Sequence, residues 1–214
     1  MKRASDDIRK RRILQLHRML HPETGRIIES AFQGEYRRRQ KATGKQPLDA
    51  QILDCHACSL AACPRACGWG DLNARHMLIG QSLHEPGVYT GIPFIVPGCG
   101  ALIDAALRLV GMTRCDIFLT NAVHCHPERN RPSTSAELDA CRPFLAQEIS
   151  IVQPEMIVAL GSAAKSSVAK IKEDGGVPEG CIIVNLIHPA ATLRMHPEAT
   201  SDFVLRLAQE LERV

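Results

Sequence analysis

Aromatic side chains are scarce in this chain of 214 residues, which has one Trp, two Tyr and five Phe. Hydrophobic residues still make up 45%, so the core must be aliphatic. No run of ~18 apolar residues occurs, which argues against a membrane-spanning helix. The opening MKRASDDIRKRR lacks the apolar segment of a secretion signal, so a cytoplasmic protein is expected. Internal repeats and low-complexity tracts are missing too. The length suits one globular domain with an appended segment.

Cysteine is plentiful, but its count of nine is odd. An odd count without a secretion signal argues against a disulfide framework and toward metal binding. Cys99, Cys115 and Cys181 lie in or beside apolar stretches and are expected to be small buried hydrophobes.

Net charge is only +3 but unevenly spread: residues 1–45 hold 13 Lys/Arg against 5 Asp/Glu, and the remainder carries an acidic excess. Such asymmetry suggests a basic arm for a polyanion, the plain alternative being a solvated helix face. Ile8, Ile13, Leu14, Leu16, Met19 and Leu20 recur at loosely helical spacing, and Thr43-Gly44-Lys45-Gln46-Pro47 reads as a linker. The expected organisation is a basic helical N-terminal extension over residues 1–45 and an α/β domain over 46–214.

Within that domain short apolar runs alternate with amphipathic helices. The runs are 76–79, 116–119, 156–160 and 181–187; helix candidates fall at 99–110, 135–151, 161–171 and 200–213. Thr134 with Glu137 offers a capping box for the second helix. The alternation implies a three-layer α/β/α fold with a central four-stranded parallel sheet. Ligands of such sheets bind beyond the carboxyl ends of the strands. Gly80-Gln81-Ser82, Thr120-Asn121, Gly161-Ser162 and His188-Pro189 should therefore converge on one cleft.

Cys55 and Cys58, separated by two residues, can grip one metal or two edges of a cluster. Cys125 follows a strand and Cys141 sits in the next helix, which could fold back and bring both to the first pair. A local rival is a four-thiolate zinc site from Cys55, Cys58, Cys63 and Cys67. Spacing alone does not rank the two.

Four ordered segments resemble the family-four uracil-DNA glycosylases, the iron–sulfur branch of their superfamily. The first is Leu78-Ile79-Gly80-Gln81-Ser82, with Gly91-Ile92-Pro93-Phe94-Ile95 and Gly100-Ala101-Leu102-Ile103-Asp104. The second, and most specific, is Thr120-Asn121-Ala122-Val123-His124-Cys125, with Ala140-Cys141-Arg142-Pro143-Phe144-Leu145. The third is Pro154-Glu155-Met156-Ile157-Val158-Ala159-Leu160-Gly161, and the fourth His188-Pro189-Ala190-Ala191-Thr192-Leu193-Arg194. They span residues 53 to about 200. The family's first motif reads Gly-Glu-Ala-Pro-Gly where this chain has Gly80-Gln81-Ser82-Leu83-His84.

The resemblance implies a DNA glycosylase that flips a nucleotide out of the stack and hydrolyses its N-glycosidic bond. It implies a [4Fe–4S] cluster on Cys55, Cys58, Cys125 and Cys141. Phe94 would stack on the base, with Gln81 and His84 lining the same pocket. Asn121 would read the base edge, because an amide offers donors and an acceptor side by side. His188 would donate to the base O2 as negative charge grows there. Gln81 or Ser82 would orient the water, with Glu85 as an alternative. Ser162, at a helix start, and Arg194 would hold phosphates, and Leu193-Arg194 would form the tip that wedges into DNA. Plain readings stand beside these: a core Phe94, a turn-forming Asn121, a loop His188, a helix cap at Ser162 and loop packing at 192–195. The expected state is a monomer acting on DNA. Because the altered motif lines the pocket, a C5-substituted pyrimidine is an alternative target to uracil, and a non-catalytic iron–sulfur nucleic-acid-binding protein is a third reading.

Overall fold

The structure is a computed structural model that describes residues 46–95 and 99–214. The expected basic extension over 1–45 lies outside the described residues.

The domain opens with α1 (Gln46–Leu53) and the short strand β1 (Trp69–Gly70). Next come β2 (His76–Ser82), α2 (Glu85–Thr90), α3 (Gly100–Leu109), β3 (Ile117–Val123) and α4 (Ser135–Val152). The chain continues through β4 (Met156–Leu160), α5 (Ser162–Glu173), β5 (Ile182–Leu186), the single turn α6 (Pro189–Thr192) and α7 (Pro197–Leu211). The sheet order is β1-β3-β2-β4-β5.

Four strands run parallel, as the alternation of apolar runs and helices predicts, with Leu78 paired to Leu119 on one side and Val158 on the other. The sheet has a fifth strand that the sequence did not announce. β1 pairs antiparallel with β3, Trp69 opposite Leu119. Two residues cannot display a period, so β1 was invisible to pattern.

Side chains alternate across β2, and this alternation builds two cores. Leu78 joins Ile117, Leu119 and Val158 beneath α3 and α7, through Leu102, Ile103, Phe203 and Leu207. Met77 and Ile79 join Phe118 and Ile157 beneath α4 and α5, through Leu145, Ile149, Val168 and Ile171. Burial on both faces explains why the central strands are almost wholly apolar.

Thr134 and Glu137 form the expected capping box of α4: each side chain accepts the other's backbone N–H. The expected linker at 43–47 gives way to α1 from Gln46. Pro47 is tolerated in a first turn, and Leu48 and Ile52, one turn apart, bury against Cys67 and Phe144. Cys99 is buried as expected, while Cys115 and Cys181 are half-buried. Among the described residues no helix is long and apolar enough to cross a membrane.

Candidate active site

The carboxyl ends of β2, β3, β4 and β5 deliver Gly80, Asn121, Gly161 and His188 to one edge of the sheet. Gly80 pairs with Asn121 across β2 and β3. A Cβ on Gly80 would strike the Phe94 ring and lie 2.5 Å from Asn121 Oδ1. Ring and amide therefore meet over a bare backbone. Phe94 is 4% exposed and holds φ at +56°, a left-handed conformation uncommon for a bulky residue. Asn121 is 5% exposed, and among the described residues nothing hydrogen-bonds its amide. Its donors and acceptor are left for a ligand.

His188 caps α6, its Nδ1 accepting the Ala190 N–H at 3.2 Å. An accepting nitrogen carries no proton, so the neutral ring bears its hydrogen on Nε2 and is a donor there. The imidazole lies 6.2 Å from the Phe94 ring, centroid to centroid, with 30° between planes. Gly161 makes room for it: at φ +90° in the turn between β4 and α5, a Cβ would come within 3.0 Å of His188 Cβ.

Gln81 and Ser82 are half-buried at the end of β2, and among the described residues neither side chain has a hydrogen-bond partner. His84 Nε2 lies 3.1 Å from the Ile95 carbonyl, so its N–H braces the segment that carries Phe94. Ser162 and Arg194 are exposed at the rim. Leu193 does not project as a tip. It is buried with Leu160 and Phe203, and the exposed apolar side chain of that loop is Met195.

Of the six cysteines considered as metal ligands, five fall in two clusters, and half-buried Cys55 is in neither. Buried Cys125 and Cys141 pack with Leu60 and Val123, and Cys58 and Cys63 lie against them. Cys67 sits apart with Leu48 and Ile52, its thiol donating to the Asp49 carbonyl at 3.7 Å. That separation splits the local zinc set. Burial pushes the Cys125 thiol up to about 12, with Cys141, Cys58 and Cys55 adding to the rise against the pull of Arg65. Burial also raises Cys58, again with Cys141 and Cys55 contributing. Burial opposes ionisation of the Cys141 thiol as well, but His124 beside it outweighs burial and holds that thiol below its ordinary value. Cys58, Cys125 and Cys141 are soft sulfur donors of the kind a cationic centre takes. Among the described residues no three His, Cys, Asp or Glu side chains converge closely enough to hold a single metal ion. Each thiolate of a four-iron cluster binds its own iron, so these sulfurs need not share one point.

Sequence reasoning missed Glu148, and it saw Glu137 only as a helix cap. Glu148 is fully buried and accepts from Thr120 Oγ1 at 2.5 Å, Gly68 N at 2.9 Å and His124 at 3.2 Å. Burial alone would lower His124, but Glu148 outweighs it and the imidazole rises to about 9. The available clue was an acid on the stripe Cys141, Leu145, Glu148, Ile149 and Val152, which is otherwise apolar. Glu137 likewise links the cysteine loop to α4, accepting from Arg131 and from Ser59 at 2.8 Å. Arg131 holds its carboxyl down to about 2.

An aromatic face, a free amide and an oriented imidazole at the end of a parallel sheet form a site for a flat, hydrogen-bonding heterocycle. The sequence profile of the uracil DNA glycosylase superfamily matches residues 67–212. The chain belongs to the uracil DNA glycosylase superfamily and is an enzyme of the DNA glycosylase class, a hydrolase of N-glycosyl bonds. It is 32% identical over 180 residues to a type-4 uracil-DNA glycosylase of Pyrobaculum aerophilum, covering 76% of this chain and 91% of that one. It is 34% identical over 161 residues to the type-4 enzyme of Thermotoga maritima, covering 69% and 82%. A type-5 uracil-DNA glycosylase of Pyrobaculum aerophilum is 36% identical over 118 residues, covering 48% and 51%.

Proposed function

We propose that this chain excises uracil from DNA by hydrolysing the N-glycosidic bond, leaving an abasic site. The observation that carries the reading is the meeting of Phe94 and Asn121 over Gly80, with His188 beside the ring. The base cannot be reached in the stack, so the nucleotide is flipped into the cleft or taken from a single strand. Phe94 stacks on the ring. The Asn121 amide accepts from N3–H and donates to O4. His188 Nε2–H donates to O2, where charge accumulates as the bond to the sugar lengthens. The sugar becomes an oxocarbenium-like electrophile, so the water needs orientation more than deprotonation. Gln81 or Ser82 supplies that orientation. Arg194 and Ser162 contact the flanking phosphates. The alternatives of a C5-substituted base and of a non-catalytic binder find no support among the relatives, which carry the uracil name.

Cys55, Cys58, Cys125 and Cys141 would hold the [4Fe–4S] cluster. Bound there, it would staple the loop after α1 to the end of β3 and to α4, a structural contribution of the kind that couples metal binding to folding.

Alkali cleavage of oligonucleotides that each carry one candidate base tests the assignment. Cleavage at uracil, with thymine, cytosine and C5-substituted pyrimidines intact, is the expected outcome. Cleavage only at a C5-substituted base would overturn the choice of uracil.

A further inference from the structure

Phe94 occupies a backbone conformation that it would not choose alone, and a device for holding it is present. Arg114 is 5% exposed and stands in the turn leading into β3. Its Nε donates to Asp104 Oδ1 at 2.5 Å, and the two side chains are 6% and 13% exposed. A plain ion pair between α3 and β3 would stop there. Instead Nη2 reaches past Asp104 and donates to the Phe94 carbonyl at 2.8 Å and the Gly100 carbonyl at 3.2 Å. At Gly100 any Cβ would collide with the Phe94 carbonyl oxygen, so a glycine there lets α3 start against that peptide. Arg114, braced by Asp104, and the side-chain-free Gly100 thus meet at the peptide that follows the ring.

We propose that the Arg114–Asp104 pair is the positioning device of the base pocket, with Arg114 as the residue that fixes the Phe94 ring over Gly80 before DNA arrives. The inference rests on Phe94 being the stacking face. A guanidinium suits the task because its planar fork reaches a carboxylate and a carbonyl at once in fixed geometry, whereas an ammonium is a single mobile point charge. A donor locked on the Phe94 carbonyl fixes the peptide that follows the ring, and so helps hold Phe94 at its φ of +56° against relaxed conformations. The ring is thereby pre-oriented, and ordering it is not deferred to the binding step.

Asp104→Leu with Arg114→Met removes the pair together, so that no buried charge is stranded. In this double variant KM for uracil-containing DNA should rise about tenfold, the scale of losing one base–aromatic stack, with kcat changed much less. Phe94→Ala should cost about the same tenfold in the parent, yet nearly nothing further in the double variant. An equal cost of Phe94→Ala in both backgrounds overturns the proposal. The fluorine NMR signal of 4-fluorophenylalanine placed at position 94 provides a readout without DNA. It should be one sharp line in the parent and broadened or shifted in the double variant; an unchanged line overturns the clamp whatever the kinetics. Should Phe94→Ala cost nothing in the parent while the line still broadens, the stacking role fails and the clamp stands. Arg114→Lys, which keeps the charge beside Asp104 but not the fork, should broaden the line as well, and it serves if the double variant does not fold.

Discussion

At Gly80 a single added methyl decides whether a base can be held. The Cβ would occupy space taken by the Phe94 ring and crowd Asn121 Oδ1. Gly80→Ala should therefore leave the chain folded but displace both base contacts. A loss of about 10²-fold in kcat/KM is expected, the scale of misplacing reacting groups by an ångström. Steady-state kinetics beside a thermal melt checks this, and near-parental kcat/KM would show that the two side chains do not meet there. Residues of this kind were partly legible. Asn121 and His188 stand just beyond apolar runs, where topology alone directs attention, and Phe94 was found through its motif. Arg114, Asp104 and Glu148 were not legible, because a charged residue inside the fold reads the same as one outside until its partner is known. Leu193 misled for the converse reason: an apolar residue beside an arginine in a loop can face either way, and here it faces the core.

The elements themselves were largely readable. α4, β4 and α5 follow from period, the Thr134 capping box and a glycine turn, three independent cues that agree. β1 and α1 escaped because one is too short for a period and the other opens beneath a proline. Contact between β2 and α7 offers a test of packing through pH. His76 Nε2 lies 3.0 Å from the Leu211 carbonyl, and burial depresses its pKa below the ordinary 6.5. The unfolded chain takes up a proton at His76 below about 6.5, before the folded chain does, so this residue's contribution is complete above that pH and lost as pH falls. His76→Gln retains a donor for Leu211 without titrating. Urea unfolding across pH should then show a shallower acid-side decline for the variant; superimposable declines would remove His76 from the account. The cysteine loop, β3 and α4 provide a second test. Purified protein should be brown with about four irons per chain. Cys125→Ser and Cys141→Ser should lose colour and stability, while Cys63→Ser and Cys67→Ser retain them. Zinc in place of iron, with Cys67 essential, would restore the local site.

For the whole molecule the question is how an acidic body holds DNA. Residues 46–214 carry a net −5 and residues 1–45 a net +8. Several body arginines are already engaged: Arg131 with Glu137 at 2.6 Å, Arg142 with Asp139, and Arg129 with Glu128 at 3.5 Å. We propose that residues 1–45 form a separate basic segment that supplies phosphate contacts. Deleting them should weaken DNA binding and flatten its salt dependence, since fewer counterions are released. Base selectivity should persist, because every pocket residue lies from Gly80 onward. A soluble deletion variant with an unchanged salt slope would remove that role.

Single-turnover release of free uracil from a uracil-containing oligonucleotide, by the parent chain and by His188→Ala, tests the central claim most directly. The parent should release one uracil per site. His188→Ala should slow release by about 10²-fold or more, the scale of removing one preorganised donor, with DNA affinity nearly unchanged. No release by the parent, or equal rates in the two proteins, would contradict the account.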